Sequence, residues 1–276
     1  MTAISSKNAT YQKFEVLKTN RKKRHRYQEF IIEGVRNINE AVRNNWQISS
    51  FLYAQERPLS GWANDLLSTT QTQVNYALIP RLMDELSSKT DTSELMAIVH
   101  MNRPLHKIIS KNPVIALFDR PSNKGNLGTM LRSCDALGVD QLILTGHSVD
   151  IYDPEVISSS MGSFFSVPFK IIASNKAVDS YIAELKKLWP SLKVIGTTEQ
   201  AKAAIYEVDM TTPVLLLLGN EKDGLSRRLE DICDIQAMIP MHKDSSASSF
   251  NVSCAATAVF YEVNRQRDNL KMQGKL

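Results

Sequence analysis

Val114–Phe118 followed by Asn123-Lys-Gly-Asn-Leu-Gly-Thr-Met-Leu-Arg132 is the stretch that decides the fold. It is an apolar run of strand length, then a polar loop with glycines, then Leu127, Met130, Leu131, Cys134 and Leu137 at helical spacing, closed by Gly138. That succession reads as strand, loop and helix in a buried parallel sheet. The pattern recurs: Val214–Leu218 runs into Gly219-Asn-Glu-Lys-Asp-Gly-Leu-Ser226. Ala237–Ile239 runs into Pro240-Met241 and then Ser249-Phe-Asn-Val-Ser253. Ligands of open α/β sheets lie beyond the carboxyl ends of the strands, so three such loops are expected to converge on one site.

The rest of the chain extends this α/β reading. Further strands are expected at Gln141–Leu144, Phe169–Ile172 and Lys193–Gly196, with helices around Val178–Leu188 and Val252–Arg267. Upstream, Glu29–Ile32, Ile48–Tyr53, Val74–Ile79 and Leu95–Val99 read as strands, alternating with helices after Gly34, at Trp62–Leu67 and from Pro80. Asn102–Pro113, with its prolines and lysines, breaks the pattern. The expected division is therefore 1–104 for a basic segment and a small α/β domain, 105–112 for a linker, and 113–276 for the larger domain.

The 276 residues are 43% hydrophobic and 22% charged, which excludes wholesale disorder. The net charge of +4 is modest, but Lys18, Arg21, Lys22, Lys23, Arg24 and Arg26 crowd one segment. Such a block tracks phosphates or forms a solvated, partly frayed N-terminal face. Cys134, Cys233 and Cys254 are far apart and in no CxxC, fitting neither a disulfide framework nor a zinc site. The histidines have no ligand spacing, and no metal is expected. The first residues lack an apolar signal core and the longest aliphatic run is too short for a bilayer. A cytoplasmic protein without membrane contact is the expectation.

In the loops, Asn126 occupies an expected N-cap position, and the helix start favours an anion such as a phosphate. Arg132 brings a planar, permanently charged group to the polar side of that helix. Glu221 follows Gly219 and Asn220 at the end of the most apolar strand and can receive donors or a positive charge. Ser249 and Asn251 open the last helix, where they either cap it or orient a hydroxyl. Taken singly, each has a plain structural reading. Neither G-x-G-x-x-G nor G-x-x-x-x-G-K-[ST] is present, so dinucleotide and P-loop readings fail.

Together and in this order, over about residues 113–266, the three loops resemble the motifs of the SpoU (TrmH-type) RNA methyltransferases of the SPOUT superfamily. Phe30-Ile-Ile-Glu-Gly34 and the helix after it resemble the small substrate-binding domain of SpoU members, similar to an RNA-binding fold of ribosomal proteins. The resemblance implies an α/β fold whose larger domain is a deep trefoil knot on a parallel sheet, an exception to the rule against knots. It implies S-adenosylmethionine as cofactor, an RNA ribose 2′-hydroxyl as acceptor, large-subunit (23S) rRNA as substrate, and a homodimer. Carried over by motif, Arg132, Asn126, Glu221, Ser249 and Asn251 form the catalytic set. Thr197, Gly219, Asn220, Ile239, Met241 and Phe250 form the cofactor-binding set, largely through main-chain groups. Phe250 replaces the usual leucine, and His242–Ser248 is slightly longer than usual.

The implied reaction is attack of the ribose 2′-oxygen on the sulfonium methyl. A guanidinium, with a pKa above about 12, is a poor base. Arg132 is therefore expected to clamp the neighbouring phosphate, with Ser249 or Asn251 assisting proton transfer. A tRNA 2′-O-methyltransferase and a non-catalytic RNA-binding protein of the same fold are the alternatives. The same motifs serve housekeeping modification and protection of the ribosome from an antibiotic alike.

Overall fold

A computed structural model describes residues 2–101 and 108–273. They form two compact units: one comprises 2–101 with Asp150–Ser166, the other 108–149 with 167–273. Residues 105–107 of the expected linker lie outside the described residues.

The first unit opens with β1 (Thr2–Ile4), α1 (Ala9–Thr19) and α2 (Arg21–Tyr27). It continues with β2 (Glu29–Glu33), α3 (Val35–Arg43), β3 (Ile48–Ala54), α4 (Gly61–Thr69), β4 (Tyr76–Leu78), α5 (Pro80–Leu86) and β5 (Leu95–His100). Its five strands form a mixed sheet in the order β1-β4-β3-β5-β2. The sheet packs on Tyr11, Phe14 and Leu17 of α1 and Leu82, Met83 and Leu86 of α5. β1, α1 and α2 precede the first strand expected from the sequence, and only the end of α1 and α2 carry the basic block. Tyr11, Phe14 and Leu17 of α1 recur every third position and are fully buried.

The basic block divides in the structure. Arg24 is 1% exposed, its guanidinium donating to Asp150 Oδ2 at 2.8 Å, Asp153 Oδ2 at 3.1 Å and the carbonyls of Leu17 and Lys18. Lys18 donates to the carbonyls of Leu86 and Ser87 at the end of α5. Arg21, Lys22 and Arg26 remain exposed. Asp150–Ser166, placed by the sequence reading within 113–276, thus packs into the first unit. Its Asp150 and Asp153 neutralise Arg24, and its Tyr152, Phe164 and Phe165 complete an aromatic cluster with Phe30 and Trp46. A buried cation needs such paired acceptors, which fixes where this segment packs.

The second unit holds β6 (Val114–Asp119), α6 (Lys124–Ala136) and β7 (Gln141–Thr145); α7 (Pro154–Ser159) intervenes in the chain but belongs to the first unit. Then come β8 (Phe169–Ile172), α8 (Asn175–Leu188), β9 (Lys193–Thr197), β10 (Ala203–Ala204), β11 (Val214–Leu218), α9 (Arg227–Asp231), β12 (Ile235–Met238) and α10 (Val252–Met272). The sheet is parallel throughout, in the order β10-β12-β9-β11-β6-β7-β8. Every residue of β6, β7 and β11 is buried, as continuous apolar runs require when both sheet faces are covered. Ile115, Leu117, Leu215 and Leu217 pack with Val178, Ile182 and Leu185 of α8. β12, β9, β11 and β6 are successive neighbours, so the chain segments after Met238, Thr197, Leu218 and Asp119 emerge along one edge. No described helix is long and apolar enough to cross a membrane.

Candidate active site

The helix start differs from expectation. Asn123 is the N-cap of α6, extended at φ −111° and ψ 126°, its Oδ1 accepting from the Asn126 amide at 2.9 Å. Asn126 lies inside the first turn. An asparagine three residues before a free N–H meets the capping geometry better than one already in helical conformation. With the cap supplied by Asn123, the Asn126 side chain bonds elsewhere. Its Nδ2 donates to Glu221 Oε1 at 3.3 Å and its Oδ1 accepts from Asn251 Nδ2 at 3.0 Å. One amide thus joins all three motif loops.

Glu221 is the hub of the cluster. Oε1 also accepts from the Asn123 amide at 3.1 Å, and Oε2 accepts from the Ser122 amide at 3.0 Å and hydroxyl at 2.8 Å. Partial burial disfavours its charge, but the hydrogen bonds from its own backbone, Ser122 and Asn123 outweigh this and hold its carboxyl below its ordinary value. Glu221 is satisfied by donors from its own chain.

Asn220 ties the same loop to the end of β6: its Nδ2 donates to the Arg120 carbonyl at 2.6 Å, and its Oδ1 accepts from the Lys222 amide at 2.8 Å. Asn220 and Gly224 exchange backbone hydrogen bonds of 2.8 and 3.1 Å. At Gly219 a Cβ would collide with the main chain of Gly224 and Leu225, so this loop closes only over glycine. Thr197 Oγ1 donates to the Leu217 carbonyl at 3.1 Å, joining the ends of β9 and β11.

Asn251 is the N-cap of α10, its Oδ1 accepting from the Ser253 amide at 3.0 Å. Ile239 and Met241 are half-buried after β12; Ser249 and Phe250 are exposed, Phe250 at 48%. Arg132 is exposed and, among the described residues, has no hydrogen bond or ion pair. Six positions beyond Asn126, it is rotated by roughly 240° around the helix. The structure therefore joins Asn126, Glu221 and Asn251 into one network, ties Asn220 to the end of β6, and leaves Arg132 and Ser249 outside the network.

Sequence reasoning gave no role to several residues of the network. Ser122 supplies two donors to Glu221, and Ser253, 1% exposed, donates its hydroxyl to the Asn126 carbonyl at 2.9 Å. Asp119, 3% exposed, accepts from Thr145 Oγ1 at 2.8 Å and the Ser226 amide at 3.0 Å. A carboxylate ending an apolar strand was the available signal for Asp119, since such a group is buried only with partners. Among the described residues no group of His, Cys, Asp and Glu is arranged to hold a metal ion.

Comparison with known proteins gives this cluster its context. The SpoU rRNA Methylase family profile matches residues 113–261, and the SpoU L30e-like domain profile matches 8–97. The chain is 40% identical over 267 residues to a 23S rRNA (uridine(2479)-2′-O)-methyltransferase of Streptomyces viridochromogenes, covering 96% of this chain and 92% of that protein. It is 29% identical over 262 residues to the 23S rRNA (guanosine(2553)-2′-O)-methyltransferase RlmP of Bacillus subtilis, covering 94% and 97%. The crystal structure of the SpoU methyltransferase AviRb from Streptomyces viridochromogenes in complex with AdoMet superposes with a TM-score of 0.88. That pair is 40% identical, with 95% of this chain and 98% of AviRb covered. The chain belongs to the SpoU rRNA methylase family.

Proposed function

We propose that this protein transfers a methyl group from S-adenosylmethionine to a ribose 2′-hydroxyl of 23S rRNA. The observation that carries the reading is the hydrogen-bonded joining of the three motif loops through Asn126, Glu221 and Asn251 at one sheet edge. Both full-length relatives carry 23S rRNA 2′-O-methylation in their names, which favours rRNA over tRNA. The profile matches support a substrate-binding part within 1–104, a linker over 105–112 and a methyltransferase part over 113–276.

The residues present fit the cofactor. The ends of β9, β11 and β12 offer main-chain groups beside the half-buried Ile239 and Met241 and the exposed Phe250, a lining suited to an adenosine moiety. Thr197, Gly219, Asn220, Ile239, Met241 and Phe250 would hold it. S-adenosylmethionine supplies an electrophilic methyl group when bound.

The protein's own groups then position the acceptor. Arg132, exposed and uncommitted to any described partner, holds the phosphate next to the target ribose through its planar fork. Ser249, also exposed, orients the 2′-hydroxyl and assists loss of its proton, while Asn251, whose amide is engaged by Ser253 and Asn126, holds the start of α10 beside it. Asn126 and Glu221 act by fixing the loops, since their polar atoms are engaged within the chain. Positioning of this kind is worth several kcal/mol of barrier. Arg132 lies outside its own chain's cluster, which supports a homodimer in which each copy completes the other's site. A trefoil knot around this edge and a cytoplasmic location complete the reading.

The exposed basic residues of α2, Lys22 and Arg26 with Arg21, support RNA phosphate binding by the first unit. Incubating the protein with labelled S-adenosylmethionine and fractionated RNA from cells lacking it tests the assignment. Label in the 23S fraction is expected; label confined to tRNA would transfer the reaction to another substrate, and no label would remove it.

A further inference from the structure

Arg120 holds a backbone conformation that its side chain does not favour. Its φ is 48°, in the left-handed region that residues other than glycine, asparagine and aspartate seldom occupy. Such a conformation persists where the surroundings over-determine it, and it concentrates at functional sites. Here the surroundings are the motif loop around Glu221. The Arg120 amide donates to the Thr145 carbonyl at 3.2 Å, and its carbonyl accepts from Asn220 Nδ2 at 2.6 Å. Its Nε donates to Asp119 Oδ2 at 3.0 Å and its Nη2 to the Gly224 carbonyl at 3.2 Å. Nη1 lies 3.9 Å from Asp223 Oδ2. The stem crosses Gly146, where a Cβ would come within 2.7 Å of Arg120 Cγ. The buried Asp119 completes the arrangement by accepting from the Ser226 amide. Asn220, Gly224 and Ser226, the span of the loop, are thus all tied to the Asp119–Arg120 pair. Only the amide bond to Thr145 continues the sheet; the β6–β7 and β6–β11 ladders are complete without the Arg120 side chain.

We propose that Arg120 is a positioning residue for cofactor binding. Its guanidinium is a strut between Asp119 and Gly224 that fixes the Asn220–Ser226 loop, so that the Gly219 main chain and the loop behind it are held in place for S-adenosylmethionine. This rests on the reading of Gly219 and Asn220 as cofactor contacts. Arg120 touches no reacting atom; it acts through the loop.

Three variants of the full-length protein separate a strut from a merely structural residue. Arg120→Gly removes the guanidinium while making the left-handed conformation comfortable, which offsets part of the cost of leaving the buried Asp119 without its cation. Arg120→Lys keeps charge and stem but loses the fork that spans two acceptors. Gly146→Ala leaves Arg120 intact and crowds its stem. The measurements are calorimetric binding of S-adenosylhomocysteine, thermal unfolding of the cofactor-free protein, and hydrogen exchange at residues 219–226.

Arg120→Gly is expected to weaken S-adenosylhomocysteine about tenfold, the scale of one charge-assisted hydrogen bond's worth of ordering. Its unfolding temperature should fall by no more than a few degrees, its Asn220 and Gly224 amides should exchange faster, and RNA affinity should not change. Arg120→Lys and Gly146→Ala should fall between in affinity, and Gly146→Ala should also unfold at a lower temperature because an alanine at φ 61° strains the backbone. Wild-type affinity in Arg120→Gly overturns the proposal, as does a lowered unfolding temperature without faster local exchange. If S-adenosylhomocysteine fails to protect residues 219–221 and 239–241 in the wild type while still binding, the site reading itself fails and the proposal falls with it.

Discussion

Replacing Glu221 by glutamine keeps its shape and removes its charge and half its acceptors. In the native site Oε1 serves the Asn123 amide and the Asn126 side chain, while Oε2 serves both donors of Ser122. A glutamine presents one oxygen and one NH₂, so one of the two pairs meets a donor instead of an acceptor. The Ser122 hydroxyl can rotate and accept, but the Ser122 amide cannot. At least one backbone N–H is then left without its partner and the other bonds lose their charge assistance. A hydrogen bond to a charged group is worth about 1.5–3 kcal/mol, and partial solvent access at this loop discounts it. The expected destabilisation is about 2 kcal/mol, or some 4–8 °C in unfolding temperature for a protein of this size.

The pH dependence provides an independent sign. The Glu221 carboxyl sits below its ordinary value of 4.5, so its contribution is full above that value and disappears as pH falls through the depressed value in the folded state. Urea unfolding of wild type and Glu221→Gln at a series of pH values should therefore show a gap at neutral pH that closes in acid. Equal stability of the two proteins at neutral pH, or a gap that widens on acidification, would refute the hub argument.

Other expectations follow from the same contacts. Arg132→Lys should lower turnover by about a hundredfold or more with the unfolding temperature unchanged, because the exposed side chain supports no part of the fold; near-normal turnover would sink the planar-clamp role. Arg24→Met leaves the buried Asp150 without its cation and should cost about 3–5 kcal/mol of stability in urea titration. Wild-type stability in that variant would contradict the account of how Asp150–Ser166 is held. Lys22→Gln with Arg26→Gln should weaken rRNA binding and reduce the slope of log affinity against log salt by about 2, one unit for each phosphate contact. An unchanged slope would take α2 out of the RNA interface.

The parallel sheet was legible because its strands are buried on both faces and so appear as unbroken apolar runs; Val114–Asp119 and Val214–Leu218 are plain in the sequence for that reason. α1 was hidden by its neighbourhood. Its Tyr11, Phe14 and Leu17 are correctly spaced, but the lysines and arginines that follow dominate any reading by composition. Arg24 shows the limit most clearly: nothing local marks it as the one buried member of a basic block, since its partners Asp150 and Asp153 are more than 120 residues away.

The site had the same division. Asn126, Glu221 and Asn251 stood out by motif, and the structure brings them within hydrogen-bond reach. The capping role given to Asn126 belongs to Asn123, because two asparagines three residues apart compete for one helix start and only backbone geometry decides between them. Asp119, Arg120 and Ser122 were passed over as the tail of a strand. Their function depends on a loop about a hundred residues further on, and such pairings leave no periodic trace in a single sequence.

The central claim is transfer to a ribose oxygen. Its most direct test is alkaline hydrolysis of 23S rRNA labelled from S-adenosylmethionine by this protein, because a 2′-O-methyl group removes the hydroxyl that alkali needs to cleave the adjacent phosphodiester. The account predicts that the label is recovered in a single alkali-resistant dinucleotide. Label recovered in ordinary mononucleotides would place the methyl on a base and contradict it.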